Sequence, residues 1–293
     1  MKAKNMLALA ALAMLGLAAC SNEEDVQFPD MQDTPITYTA AINELSSRAS
    51  TTLTEGSFGL YLTTEGTQDS KYTAQNMEVN YENGAWNPTS QLLWKDNKSS
   101  VSYYAYMPYQ RVTDPTNLLV SVEKVQANTA ANDFCYASVQ TATAVDNNGS
   151  INVAFDHMFA KLSVVLTYGS DISEDMVIDK VSLDNACLSG YVNLQQGALK
   201  GLVNEDIANL ELQRKTNKEF QAILIPQSFD NLTVTLVDNQ TNQKFQFKSS
   251  EKLKFNSGKS YQLNLIVGRD KVTMGDITVH PWESIEAGGL VTE

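Results

Sequence analysis

The chain has 293 residues, 43% of them apolar, and a formal net charge of -13 with only two histidines. A charge of that sign and size repels nucleic acid and anionic membrane faces, so neither is expected as a partner. The length accommodates two ordinary domains or one large β domain, and the apolar fraction is enough to fill proper cores.

The first predicted element is a leader. Lys2 and Lys4 precede an uncharged apolar run, Met6 to Ala19, too short to cross a bilayer as a helix, which is the pattern of a cleaved export signal over residues 1–19. Leu17-Ala18-Ala19-Cys20 then sets small residues directly before a cysteine, the arrangement called a lipobox, in which Cys20 is acylated and becomes the mature N-terminus. An ordinary secretory signal with an incidental cysteine is the competing reading. Processing removes two lysines and leaves 19 basic residues against 34 acidic ones, a net charge of -15. Residues 20–35 are acidic, carry Pro29 and Pro35 and lack periodicity, so they read as a flexible tether.

Beyond the tether the pattern is β. Ile36, Tyr38, Ala40 and Ile42 alternate with Thr37, Thr39, Ala41 and Asn43, the period of a strand buried on one face. The same period returns in Phe58-Leu60-Leu62, Val101-Tyr103-Ala105-Met107, Ile151-Val153-Phe155 and Leu162-Val164-Leu166-Tyr168, then in Leu232-Val234-Leu236 and Tyr261-Leu263-Leu265-Val267. Turn residues separate these runs at Glu82-Asn83-Gly84, Asp146-Asn147-Asn148-Gly149 and Asn256-Ser257-Gly258. Val203, Ile207 and Leu210 fall at helical spacing and predict one short helix at most. Val272-Met274 and Ile277-Val279 are out of phase, which predicts a bulge near Gly275-Asp276. Many short strands with little helix call for sheets that cover each other's apolar faces. The predicted fold is all-β, with two antiparallel β-sandwich domains in tandem over residues 36–157 and 158–293.

Catalytic chemistry finds little footing. His157 lies beside an apolar run and reads as a hydrogen-bonded structural histidine, and His280 precedes Pro281 and Trp282 close to the C-terminus. There is no glycine-rich phosphate loop, no Gly-x-Ser-x-Gly elbow and no His-Glu-x-x-His. Asp146 to Gly149 lacks the alternating ligands of a calcium loop and reads as a hairpin turn. Cys135 and Cys187 are left as either a disulfide or two buried thiols, and their spacing is not of metal-binding type. No cofactor, metal ligand or catalytic residue is assigned, and the chain is not expected to be an enzyme. Trp94, Tyr103, Tyr104, Tyr106 and Tyr109 form an aromatic cluster that reads either as core with a tyrosine rim or as a platform for sugar rings. Arg48, in Ser46-Ser47-Arg48-Ala49-Ser50, sits in a small, polar, protease-accessible segment directly after the first strand.

Taken in order, several segments resemble the fimbrillin family, the fimbrillin-A-like and Mfa-like subunits of type V pili of anaerobic gut and oral bacteria. They are Cys20 with its acidic followers, Ile36 to Ile42 leading to Ser47-Arg48-Ala49, Val101 to Tyr109, Asn132-Asp133-Phe134-Cys135-Tyr136-Ala137, Phe155 to Leu162, and Pro281-Trp282-Glu283. The resemblance implies transthyretin-like sandwiches and a precursor that reaches the outer membrane as a lipoprotein before joining a fimbrium. It also implies an arginine-specific surface protease that cuts between Arg48 and Ala49, removing the first strand, 36–47, with its face of Ile36, Tyr38, Ala40 and Ile42. A neighbouring subunit's C-terminal strand then fills the vacated groove. In this chain the donor candidate is 283–293, where Ile285, Ala287, Gly289 and Val291 share a face and the Gly288-Gly289 pair weakens the strand. The expected partners are other pilus subunits and that protease, and the expected role is structural, supporting adhesion. The alternative is a monomeric surface glycan-binding lipoprotein that keeps its lipid.

Overall fold

Alternating apolar and polar residues become strands almost everywhere in the computed structural model, which describes residues 29–43, 50–146, 148–170, 172, 176–269 and 271–282. The first half contains β1 (Thr37–Asn43), β2 (Ser50–Thr52), β3 (Ser57–Thr64), β4 (Ala74–Glu82), β5 (Ala85–Pro88), β6 (Val101–Met107), β7 (Leu118–Ser121), β8 (Cys135–Ala142) and β9 (Ser150–His157), with a 3-10 turn at Ala130–Asn132 before β8. The second half continues with β10 (Ala160–Tyr168), β11 (Ile178–Cys187), β12 (Ser189–Asn193), β13 (Ala198–Leu202), β14 (Ile207–Glu211), β15 (Gln213–Arg214) and β16 (Glu219–Leu224). It ends with β17 (Gln227–Phe229), β18 (Thr233–Asp238), β19 (Lys244–Lys248), β20 (Leu253–Phe255), β21 (Lys259–Val267) and β22 (Val272–Pro281).

Turn chemistry explains several of the connections. Asn83 and Gly84 both take positive φ, 55° and 83°, as the two-residue hairpin between β4 and β5 demands. Gly149 closes the β8–β9 connection at φ 81°, a left-handed conformation that favours glycine. The bulge expected near Gly275 is present: Asn264 pairs with Asp276 and Leu265 with Met274, leaving Gly275 without a partner in the ladder.

An eight-stranded sheet, in the order β2-β1-β9-β8-β6-β3-β4-β5, encloses a core that includes Ile36, Phe58, Leu60, Trp94, Ile151 and Phe155. A five-stranded sheet, β15-β16-β10-β21-β22, and a four-stranded one, β14-β11-β18-β19, supply a second core built on residues such as Leu162, Val164, Val181, Phe220 and Leu263. The fold is all-β, and its pairings are antiparallel apart from two long parallel ladders, β1 with β9 and β10 with β21, and an isolated bridge between Val125 and Glu211.

β9 ends at His157 and β10 begins at Ala160. The two halves are nonetheless laced together, because β7 pairs with β12, and Leu118, Val120, Val122 and Phe134 belong to the second core. Buried Gln126 adds a two-way clamp: its Nε2 donates to the Ile223 carbonyl at 2.8 Å and its Oε1 accepts from the Ile223 amide at 2.8 Å.

Two readings of the sequence change and one open alternative is decided. Ile207 to Glu211 is a strand rather than part of a helix, because Ala208, Leu210 and Leu212 face inward at period two while Ile207 is exposed. No α-helix occurs among the described residues. The tether expected over 20–35 is docked from residue 29 onward. Asp33 N donates to the Trp94 carbonyl, Trp94 N to that of Thr34 and Ile36 N to that of Leu92, while Met31 packs on the first core. A turn over Met31 to Thr34, with Asp33 at φ 55° and Thr34 N donating to the Met31 carbonyl at 3.1 Å, presents these groups to the chain after β5. Finally, both cysteines are buried and free, which decides between the two alternatives in favour of thiols.

Candidate functional site

β1 is an interior strand with a sparse set of neighbours. Ile36, Tyr38 and Ala40 are 2%, 6% and 2% exposed, and Ile42, at the strand's far end, is half-buried. Burial of this kind is worth about 1.5–3 kcal/mol for each large side chain. Along one edge β1 runs parallel to β9, from Thr37 opposite Ser150 to Ile42 opposite Phe155. Along the other, among the described residues, it meets the short β2 over Ala41 to Asn43, the Leu53 amide, which donates to the Ala40 carbonyl at 2.9 Å, and the segment around Leu92 to Trp94 through the residues just before it. Side chains reinforce the parallel ladder: Thr39 Oγ1 donates to Asn152 Oδ1 at 2.6 Å and Asn43 Nδ2 to Asp156 Oδ1 at 3.1 Å.

β9 depends on β1 to an unusual degree. Its only other ladder joins Tyr136 to Asp156 and Cys135 to His157, so from Ser150 to Phe155 the one laterally paired strand among the described residues is β1. Taking β1 away strips that stretch of its backbone partners and opens the first core where Ile36, Tyr38 and Ala40 sat. The Tyr38 hydroxyl is buried with no hydrogen-bond partner among the described residues, and desolvation pushes its ionisation well above the usual phenol range.

Where β1 ends, a groove of about 580 Å³ lies between the halves, lined by Ile42, Leu53, Met107, Ile223 and Trp282 among others. Asp133, Cys135, His157 and Lys161 also face it. His157 Nδ1 lies 2.6 Å from Asp133 Oδ2, and the Cys135 thiol donates to the same oxygen at 3.3 Å. The imidazole stacks flat on the Trp282 indole, with centroids 4.0 Å apart and planes 1° from parallel. Burial, aided by the neighbouring Asp133 carboxylate, pushes the Cys135 thiol up, so without a bound cation it is a neutral hydrophobe. Thiol and carboxylate both approach Nδ1, leaving none on the far side of the ring, so the trio lacks the relay of a cysteine hydrolase.

The other sequence candidates sort clearly. Trp94, Tyr103 and Tyr106 are buried, and Tyr104 stacks on Tyr61 at 4.7 Å, so the aromatic cluster is packing, shared between the two cores. His280 is exposed on β22. Cys20, Arg48, Ala49, Ile285, Ala287 and Val291 lie outside the described residues. The Asp133–His157–Trp282 association escaped sequence reasoning because its members are far apart in the chain; the one available signal was the recurrence of Asp, Cys and His at strand ends.

A family model described as fimbrillin-like matches residues 47–282, well over half of the chain. The chain belongs to the fimbrillin-like family. As a fimbrillin-like protein it is a structural subunit of a surface pilus, acting at the cell surface, and not an enzyme. Among solved structures it is similar in fold to one described as a cell adhesion protein from Bacteroides uniformis ATCC 8492, with TM-score 0.66, 16% identity, 85% of this chain and 99% of that chain covered. A similar structure from Bacteroides ovatus ATCC 8483 gives TM-score 0.65 at 16% identity, covering 87% of this chain and 99% of that one. A fimbrial protein from Bacteroides vulgatus ATCC 8482 gives 0.53 at 12% identity, covering 85% and 99%. No curated protein matches the chain.

Proposed function

We propose that this pilus subunit is exported as a lipoprotein acylated at Cys20, is cut between Arg48 and Ala49 by an arginine-specific surface protease, and polymerises by donor-strand exchange to support adhesion. The observation that carries this reading is the dependence of β9 on β1: one strand, connected to the rest through residues that include Arg48, supplies both the ladder partner of Ser150 to Phe155 and part of the core. Removing it creates an acceptor slot bounded by β9, β2 and the Leu92 to Trp94 segment. Segment 283–293 of a neighbour, presenting Ile285, Ala287 and Val291, is the occupant with a matching period. The exchange needs no external energy source, since a new set of ladder hydrogen bonds and buried side chains replaces the old, offset by several kcal/mol of association entropy.

The glycan-binding alternative is weakened, since three of the five aromatics it would use are buried and Tyr104 and Tyr109 are half-buried. The decisive experiment expresses Arg48→Gln and a chain lacking residues 283–293 on the surface and examines SDS-resistant ladders together with the mature N-terminus. Arg48→Gln should keep acylated Cys20 and form no ladder. The truncated chain should begin at Ala49 and still fail to polymerise. Normal ladders from either variant would refute the mechanism.

A further inference from the structure

We propose that Asp133, Cys135 and His157 form a binding site for a divalent transition-metal ion of the zinc type, a role that their sequence spacing does not reveal. The three ligand atoms already converge. Oδ2 to Nδ1 is 2.6 Å, Oδ2 to Sγ 3.3 Å and Sγ to Nδ1 3.6 Å, and the three atoms lie within 4.8 Å of one another. A triangle of that size has a circumscribed radius shorter than zinc's bonds of roughly 2.0–2.3 Å to N, O and S, so an ion just above its plane reaches all three.

One further observation points to a ligand. Asp133 Oδ1 is buried and has no hydrogen-bond partner among the described residues, although its carboxylate has a second oxygen crowded by two donors. His157, whose side chain is 6% exposed, is aimed at the cluster through Nδ1. With the ring as the Nδ1–H tautomer, which the 2.6 Å contact to the Asp133 carboxylate favours, two protons occupy the centre of the metal-free cluster, on Nδ1 and on Sγ. Binding of the dication displaces both: the thiol proton leaves to solvent, the ring proton moves from Nδ1 to Nε2, and new bonds form from the ion to Sγ, Nδ1 and the carboxylate. One dication against one thiolate and one carboxylate is electrically neutral, which suits a buried position and does not repel Lys161 in the same groove. The trio borders the groove, which leaves room for water as a fourth ligand, and a tetrahedral site requires the 2.6 Å Oδ2–Nδ1 edge to widen to about 3.3 Å on binding.

The placement has a structural consequence. Cys135 and His157 are direct cross-strand partners in the short ladder joining β8 to β9, and Asp133 enters from the turn before β8. An ion on these residues rivets β9 to β8 at the one place where they pair.

The test uses the full-length chain in detergent, stripped with chelator and titrated with Co²⁺. The expected result is a thiolate-to-cobalt charge-transfer band in the near ultraviolet with intense tetrahedral visible bands, saturating at one equivalent, displaced by Zn²⁺ and accompanied by quenching of Trp282 fluorescence. Cys135→Ser removes the charge-transfer band, His157→Gln weakens cobalt binding at least about tenfold, and Cys187→Ser leaves the spectrum unchanged. Absence of a saturable sulfur-to-cobalt band in the unaltered chain overturns the proposal whether or not the variants fold. So does a band that survives Cys135→Ser or vanishes in Cys187→Ser.

Discussion

Both halves of the molecule are organised around a parallel pair, and the two pairs are treated in opposite ways. In the second half β10 lies beside β21 from Lys161 to Tyr168, with β16 on its other edge over six residue pairs and β22 on the far edge of β21. In the first half β1 lies beside β9 with only three pairs to β2 on one flank and two pairs from β9 to β8 on the other. The same motif is thus locked in one half and separable in the other. The difference lies in the neighbours rather than in the strand sequences, since Ile36-Tyr38-Ala40 and Leu162-Val164-Leu166 are comparably buried.

The largest expected effect sharpens this contrast. Removing the chain through Arg48 should cost the first half on the order of 5 kcal/mol, from the lost burial of Ile36, Tyr38 and Ile42. Hydrogen exchange should then show amides of Ser150 to Phe155 losing protection while those of β10 and β21 keep theirs; simultaneous loss in both halves would mean that the two are not separable in this sense.

A smaller effect probes the lacing between them. Gln126→Ala leaves the Ile223 amide and carbonyl buried without partners, so denaturant unfolding should show a loss of about 2–3 kcal/mol. An unchanged midpoint would show that the clamp is idle. The smallest effect has the opposite sign. Tyr38→Phe removes a buried hydroxyl that has no partner and should raise stability by up to about 1 kcal/mol, read from the same curves. A decrease would reveal a partner for that oxygen.

Much of this was legible in the chain because strand periodicity and turn chemistry are local. The face of Ile36, Tyr38 and Ala40, the Asn83-Gly84 hairpin and the bulge at Gly275 needed only a few neighbouring residues to declare themselves. What stayed hidden was non-local or rested on too narrow a window. Ile207 was grouped with Val203 and Leu210, whereas the period-two set Ala208-Leu210-Leu212 decides the strand. The parallel direction of β1 against β9 depends on how the intervening strands wind, and no residue in either strand records it. The docking of residues 29–35 against Leu92 to Trp94 depends on an edge presented some 60 positions away, and the Asp133–His157–Trp282 association likewise needed the fold to assemble it.

The straight run of paired positions from Thr37–Ser150 to Ile42–Phe155 also bears on tensile strength. If donor-strand exchange operates as proposed, a sister subunit's tail seated there would be dragged lengthwise when the fibre is stretched, so its rungs would resist together in shear and not peel apart singly. Under that proposal, fluid drag on an attached bacterium would be spread across the whole seam, and the filament would withstand forces that unzip the same bonds pulled end-on.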